Sequence, residues 1–229
     1  MRTTLLPLAA FTAGFTLLHL LALGRVEPEY PRAFKLSRGA AAAILTAIGL
    51  AALVGAWSEW RSAFLYRHFD GDWMRYGLLC VYGHLLSDFI WMAVGAWRFG
   101  VKPRKDLILH HAMGLVGFGA ALWLKVGYAL ALITMVTEVM PVTTGLNALG
   151  KRLSSQALMD AAEKARLHLL VWLRLPLWLT LFVLVCMVLA IGNPGDLLPA
   201  YLVACVGLAG LVGLDLYWVG KCRAHLDFY

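Results

Sequence analysis

The chain has 229 residues, of which 61% are hydrophobic and only 14% charged, and its mean hydropathy is +0.74. Soluble domains are far less apolar, so this composition reads as an integral membrane protein. The net charge of +7 does not call for nucleic acid, because the basic residues flank apolar runs, where membrane topology and anionic headgroups account for them. Cys80, Cys186, Cys205 and Cys222 show no C-x-x-C spacing and read as packing residues rather than a disulfide framework or a thiolate metal site.

Seven runs reach the roughly 20 residues that cross a bilayer. The first, Thr3–Gly24, follows Arg2 and precedes Arg25, Arg32, Lys35 and Arg38, and reads as a retained span rather than a cleaved leader. The second is Gly39–Trp57. The third, Tyr76–Trp97, carries His84 and Asp88 on one helix face, a pairing that serves equally to orient a general base or to satisfy a structural hydrogen bond. Trp91 in the same run is interior enough to line an acyl pocket or simply to pack.

The fourth run, Asp106–Leu124, holds His110 and His111 one turn inside the membrane. Ionisable groups at that depth are costly and mark functional sites by default; the plainer alternative is a helix-end pair touching headgroups. The fifth, Val126–Leu149, carries Glu138 and Pro141. Proline leaves the carbonyl of Thr137 without its donor, so a kink is expected beside that carboxylate. Asn147 falls on the opposite face of an ideal helix from Glu138 and reads as a helix end or a second polar contact. The sixth run, Leu167–Ile191, contains Arg174. The seventh, Leu197–Gly220, contains Asp215, Tyr217 and Trp218. Small residues at three-residue spacing, Gly114, Gly117 and Ala121 in the fourth run and Gly207, Gly210 and Gly213 in the seventh, suggest close helix packing. Trp57, Trp60, Trp73, Trp97 and Trp123 near the run ends suggest an interfacial belt.

Lysine and arginine crowd alternate connections, which predicts an outside N-terminus, a cytoplasmic C-terminus and an odd number of spans. A rise of about 1.5 Å per residue then places His110, His111, Arg174 and Asp215 roughly 6–10 Å inside the cytoplasmic face, with Asp88 and Glu138 nearer the midplane, where each needs a partner or a proton. Two segments are expected: an N-terminal helix and loop over 1–38, and one helical membrane domain over 39–229.

Asp88 in its tyrosine- and leucine-rich helix, His110-His111, Glu138-Val-Met-Pro141 with Asn147 downstream, and Tyr217-Trp218 before Lys221 together resemble the TLC family of TRAM, Lag and CLN-type proteins, which includes the ceramide synthases. The likeness runs from about Tyr66 to Lys221. It implies an all-α membrane fold, a six-helix barrel around a cavity opening to the cytoplasm, with one added N-terminal helix. It also implies that His110 and His111 correspond to the paired histidines that serve acyl transfer from acyl-CoA. Apolar residues including Ala131 and Leu132 stand where the synthases carry a later His-Asp, so the resemblance points to the non-synthase branch and away from sphingoid-base acylation.

The expected function is a lipid acyltransferase of a bacterial inner membrane or the endoplasmic reticulum, with membrane lipid and long-chain acyl-CoA as partners and no bound cofactor. In this reading His110 or His111 is base or nucleophile and Asp88 or Asp215 orients it. Arg174 meets the anionic headgroup or CoA phosphates, and a neutral Glu138 donates to the acceptor. His84, Trp91, Asn147 and Tyr217 complete the substrate surface. The alternative is a lipid-binding or lipid-sensing protein that uses the same cavity without turnover; a transporter is a more distant one. His84, Asp88, His110, His111 and Glu138 are conceivable metal donors, but there is no H-E-x-x-H spacing and no metal is expected.

Overall fold

The computed structural model describes residues 2–57, 73–192 and 194–226. Among them no strand occurs, and seven helical spans are long and apolar enough to cross a membrane. These are α1 (Thr4–Val26), α2 (Tyr30–Gly55), α3 (Trp73–Phe99), α4 (Lys105–Leu124), α5 (Tyr128–Arg152), α6 (Gln156–Ile191) and α7 (Gly195–Ala224). Trp60, read above as part of the interfacial belt, lies outside the described residues.

Two expectations about boundaries are corrected. α2 begins at Tyr30, nine residues before the predicted Gly39, because Pro31 suits a first helical turn and the Glu29 carbonyl already accepts from the Arg32 and Ala33 amides. Arg32, Lys35 and Arg38 therefore ride on a helix instead of a loop. The Lys151–Arg166 connection is likewise mostly helical, starting at Gln156 behind a Ser155 side chain that caps the Leu158 amide. Glu27, in the turn between α1 and α2, accepts the Glu29 amide and the Arg32 guanidinium, which hold its carboxyl below the usual range.

The helices close a ring in the order α2, α5, α6, α7, α4, α3 and back to α2, with α1 packed outside against α3 and α2. This is the expected six-helix barrel with one added helix. The tightest crossing is α2 on α5, where a Cβ on Gly39 would sit 2.9 Å from the Gly145 Cα. Two bare backbones meet there without the hydrophobic drive available in water, through van der Waals contact alone. Gly39→Ala is expected to lower stability by about 1–3 kcal/mol, as overpacking does, and unfolding in mixed micelles with rising SDS checks it. Leu45, Leu78, Val81, Tyr128 and Leu132 fill the core beside this crossing, while Val54, Trp97, Trp123, Trp172 and Val206 point outward as an apolar jacket.

Two helices break where prolines remove donors. Ahead of Pro141, α5 tightens into a 3-10 segment over Thr134–Glu138. Ahead of Pro176, α6 widens into a π turn over Leu170–Arg174. Such irregularities inside membranes survive where protein or a cavity surrounds them, and each here delivers a charged residue, Glu138 or Arg174, to the barrel interior.

Candidate functional site

Asp88, at the middle of α3, is fully buried and collects partners from four helices. Its Oδ2 accepts from Arg38 Nε at 2.6 Å and from His111 Nε2 at 2.8 Å. Its Oδ1 lies 3.1 Å from His19 Nε2, and His84 Nε2 stands 3.8 Å from Oδ2. A carboxylate at that depth is tolerable only when paired and hydrogen-bonded. The guanidinium supplies the balancing charge, and the imidazoles satisfy the remaining lone pairs.

This contact assigns the His111 tautomer. With Nε2–H donated to Asp88, Nδ1 keeps its lone pair, and Nδ1 makes no hydrogen bond to the protein. The residue is 1% exposed yet lines an apolar cavity inside the barrel. A buried, oriented imidazole that borders a cavity and has one ring nitrogen without a hydrogen bond is equipped to act as a base or nucleophile.

That cavity, about 140 Å³, runs between α3, α4, α5 and α7 past Leu85, Phe118, Leu130 and Tyr201. Gly117 and Gly207 line it, and a Cβ at either would meet nothing within 4 Å. The packing expectation for the small residues is thus corrected in part: these two leave room, whereas Gly210 does press on Met113. The difference is one of facing: Gly117 and Gly207 front the open part of the cavity, whereas Gly114 packs against Leu85 and Gly210 against Met113.

A second cavity of about 390 Å³ opens at the other end of His110 and is lined by Arg38, Arg104, Arg166, Arg174 and Lys221, with Glu163 the only acid. Arg174 is 1% exposed; its Nε donates to both oxygens of Asp215 at 3.0 and 2.8 Å, while Nη1 and Nη2 make no hydrogen bond to the protein. Trp218 forms one wall. The Arg174 guanidinium lies over its ring at 5.2 Å, the His110 ring packs tilted against it with centroids 5.6 Å apart, and its indole donates to Asp106 at 2.8 Å. His110 lines both cavities, with Nε2 3.8 Å from Glu138 Oε1.

The predicted residues divide accordingly. His84, His110, His111 and Glu138 line the apolar cavity, with Asp88 directly behind them. Asp215 serves Arg174, so of the two candidate orienters it is Asp88 that touches a histidine. Asn147 does not end its helix, which continues to Arg152; it donates to Glu163 at 3.1 Å and lines neither cavity. Trp91 is buried against Tyr30 and His19. Tyr217 is 51% exposed on the outer face beneath Lys221. His19 and Arg38 were missed. The first lies in a helix outside the expected domain, and the second was counted only as a topological charge.

The donor atoms of His84, Asp88 and His111 lie within 4.8 Å of one another, a spacing that could hold a metal ion. Arg38 donating at 2.6 Å sets a fixed positive charge on the same oxygen, which repels one.

Neither a curated protein nor a solved structure matches the chain. The family model of the TLC domain (TRAM, LAG1 and CLN8) matches residues 38–222, most of the sequence and all six helices of the ring. Barrel, buried charges and seven apolar spans agree with that match, and the chain is a multi-pass, lipid-related membrane protein that belongs to the TLC-domain family.

Proposed function

We propose that this protein is an acyl-CoA-dependent lipid acyltransferase. The observation that carries the reading is that His110 lies at the junction of a basic cavity and an apolar one. Acyl-CoA is built to the same plan, with anionic phosphates at one end, an alkyl chain at the other and the reactive thioester between. Arg38, Arg104, Arg166, Lys221 and the unpartnered Nη atoms of Arg174 meet the phosphates. The alkyl chain enters the apolar cavity, and the thioester carbonyl comes to rest near the paired histidines.

His111 Nδ1 then attacks the thioester carbon, and the coenzyme leaves as a thiolate that takes up a proton. The charge developing on the imidazole is balanced by Asp88, already hydrogen-bonded to Nε2. A hydroxyl or amine of the lipid acceptor completes the transfer, its proton passing to His110, which Glu138 faces. The positive-inside pattern of the basic connections supports a cytoplasmic mouth for the basic cavity, on the side where acyl-CoA is found, in a bacterial inner membrane or the endoplasmic reticulum.

The test is intact mass of the purified protein with and without long-chain acyl-CoA. An adduct of acyl mass that maps to His111 is the expected result. No adduct and no transfer to any lipid, with a native lipid released unchanged on denaturation, would instead identify a lipid-binding protein that uses the same two cavities.

A further inference from the structure

α1 lies outside the residues the family model matches, yet it is closely fitted to the site. A Cβ on Gly83 of α3 would fall 2.8 Å from the Phe11 Cβ and 2.9 Å from the Thr12 backbone nitrogen. Thr16 Oγ1 and Ser87 Oγ are 3.1 Å apart, and Phe15 sits edge-on against His84 at 5.1 Å. This docking carries His19, 3% exposed, to the one Asp88 oxygen that His111 and Arg38 leave free.

The His19 ring is held on all sides. Phe34 and Trp91 pack on it at 5.3 and 5.5 Å, and Nδ1 is hydrogen-bonded to Ser37 Oγ. The Ser37 hydroxyl has three acceptors in reach, Nδ1 and the Ala33 and Phe34 carbonyls. Whichever of these it donates to, the Asp88 carboxylate can only accept, so His19 Nε2 carries a hydrogen between them. Nε2–H therefore points at Asp88, whose other oxygen accepts from Arg38.

We propose that His19, backed by Ser37, is a positioning residue for the Asp88–His111 pair. The reason is geometric. A guanidinium prefers to engage both oxygens of a carboxylate, but Arg38 reaches only Oδ2 with Nε while His19 holds Oδ1. Without His19, Oδ1 is unpaired in a dry interior. The carboxylate then turns toward the rest of the Arg38 fork, Oδ2 leaves the His111 Nε2–H, and the His111 ring loses its fixed orientation at the cavity wall. Two residues outside the matched domain thereby complete its central carboxylate.

The role of His111 in this proposal rests on the function proposed above, but the test does not use that function. Diethyl pyrocarbonate ethoxycarbonylates a bare imidazole nitrogen: the nitrogen bonds to one carbonyl carbon, and ethyl carbonate departs with the imidazole proton and decays to carbon dioxide and ethanol. The full-length protein in phospholipid nanodiscs is treated at fixed pH, and modification of His111 is followed by peptide mass and fragment ions. His168, exposed on α6, calibrates the reagent. Glutamine places an amide nitrogen where Nε2 stands, whereas asparagine places one where Nδ1 stands.

His19→Gln is expected to react at His111 within about twofold of the native rate, while His19→Asn and His19→Ala fall about tenfold, the lower range for loss of an outer positioning partner. If His19→Ala does not fold, the glutamine and asparagine proteins decide the matter between them. The proposal is overturned if asparagine matches the native rate, if glutamine falls as far as asparagine, or if His111 is inert in the native protein. A chain that forms no acyl adduct can still pass this test, so the two readings fail separately.

Discussion

Asp88→Asn is expected to cut acyl transfer by about 10³–10⁴-fold, the scale seen when an orienting carboxylate becomes an amide and its histidine adopts the wrong tautomer. The amide keeps the shape of the side chain but carries no charge, and only one of its two termini can accept. Arg38, His19 and His111 all present donors to it, at 2.6, 3.1 and 2.8 Å. Each donor loses part or all of its acceptor, and the Arg38 cation is left without a counter-charge. Breaking a buried pair by removing one partner costs about 3–5 kcal/mol, and Asp88→Asn should show a loss at the lower end of that range because Arg38 retains 13% side-chain exposure. Transfer of radiolabelled acyl groups measures the first effect, and SDS unfolding in mixed micelles the second. A protein of native stability and full activity would contradict both the pairing and the assigned tautomer.

The second large effect is expected at Arg174. Arg174→Met leaves Asp215, fully buried, as an uncompensated carboxylate, with an expected loss of about 3–5 kcal/mol. The double variant Arg174→Met with Asp215→Leu removes both charges and should recover most of that stability, because apolar residues of similar volume replace a buried ion pair at little cost. Function separates from stability in this pair. The double variant keeps the fold but lacks the guanidinium at the wall of the basic cavity, so its KM for acyl-CoA rises while the native-like unfolding midpoint returns. Equal stability of the single and double variants would show that Asp215 has another partner or carries a proton.

Much of the architecture was legible in the sequence because a membrane leaves few choices. Backbone groups must be satisfied within each span, so helices follow from apolar length alone, and the seven spans were found with their order intact. The Pro141 kink was also readable, since the missing donor is a covalent property, and the 3-10 turn at Thr134–Glu138 lies where it had to. The start of α2 was not readable. Arg32, Lys35 and Arg38 lowered the apparent hydropathy, yet they lie on a helix, where Arg38 points inward to Asp88 and Arg32 back to Glu27 and Glu29.

The site divides in the same way. His84, Asp88, His110, His111, Glu138, Arg174 and Asp215 stood out because an ionisable group in an apolar span is costly wherever it sits. That cost is a property of the residue and its surroundings in sequence. Which carboxylate serves which base is a property of helix order around the ring. By depth Asp215 stands level with the paired histidines and Asp88 lies deeper; only the packing of α6 on α7 gives Asp215 to Arg174, and that of α1, α2 and α4 on α3 gives Asp88 to His19, Arg38 and His111.

Composition and apolar spacing by themselves determined that this chain crosses a membrane seven times and carries charge where charge is expensive. The tertiary structure decided the rest: that Gly117 and Gly207 open a cavity while Gly39 and Gly145 close a crossing, that five cations gather around one mouth, and that a histidine from outside the barrel completes its central carboxylate. The reason is that burial costs are local and accumulate along the chain, whereas a cavity or a shared hydrogen bond exists only between elements remote in sequence, such as His19 and Asp88, 69 residues apart.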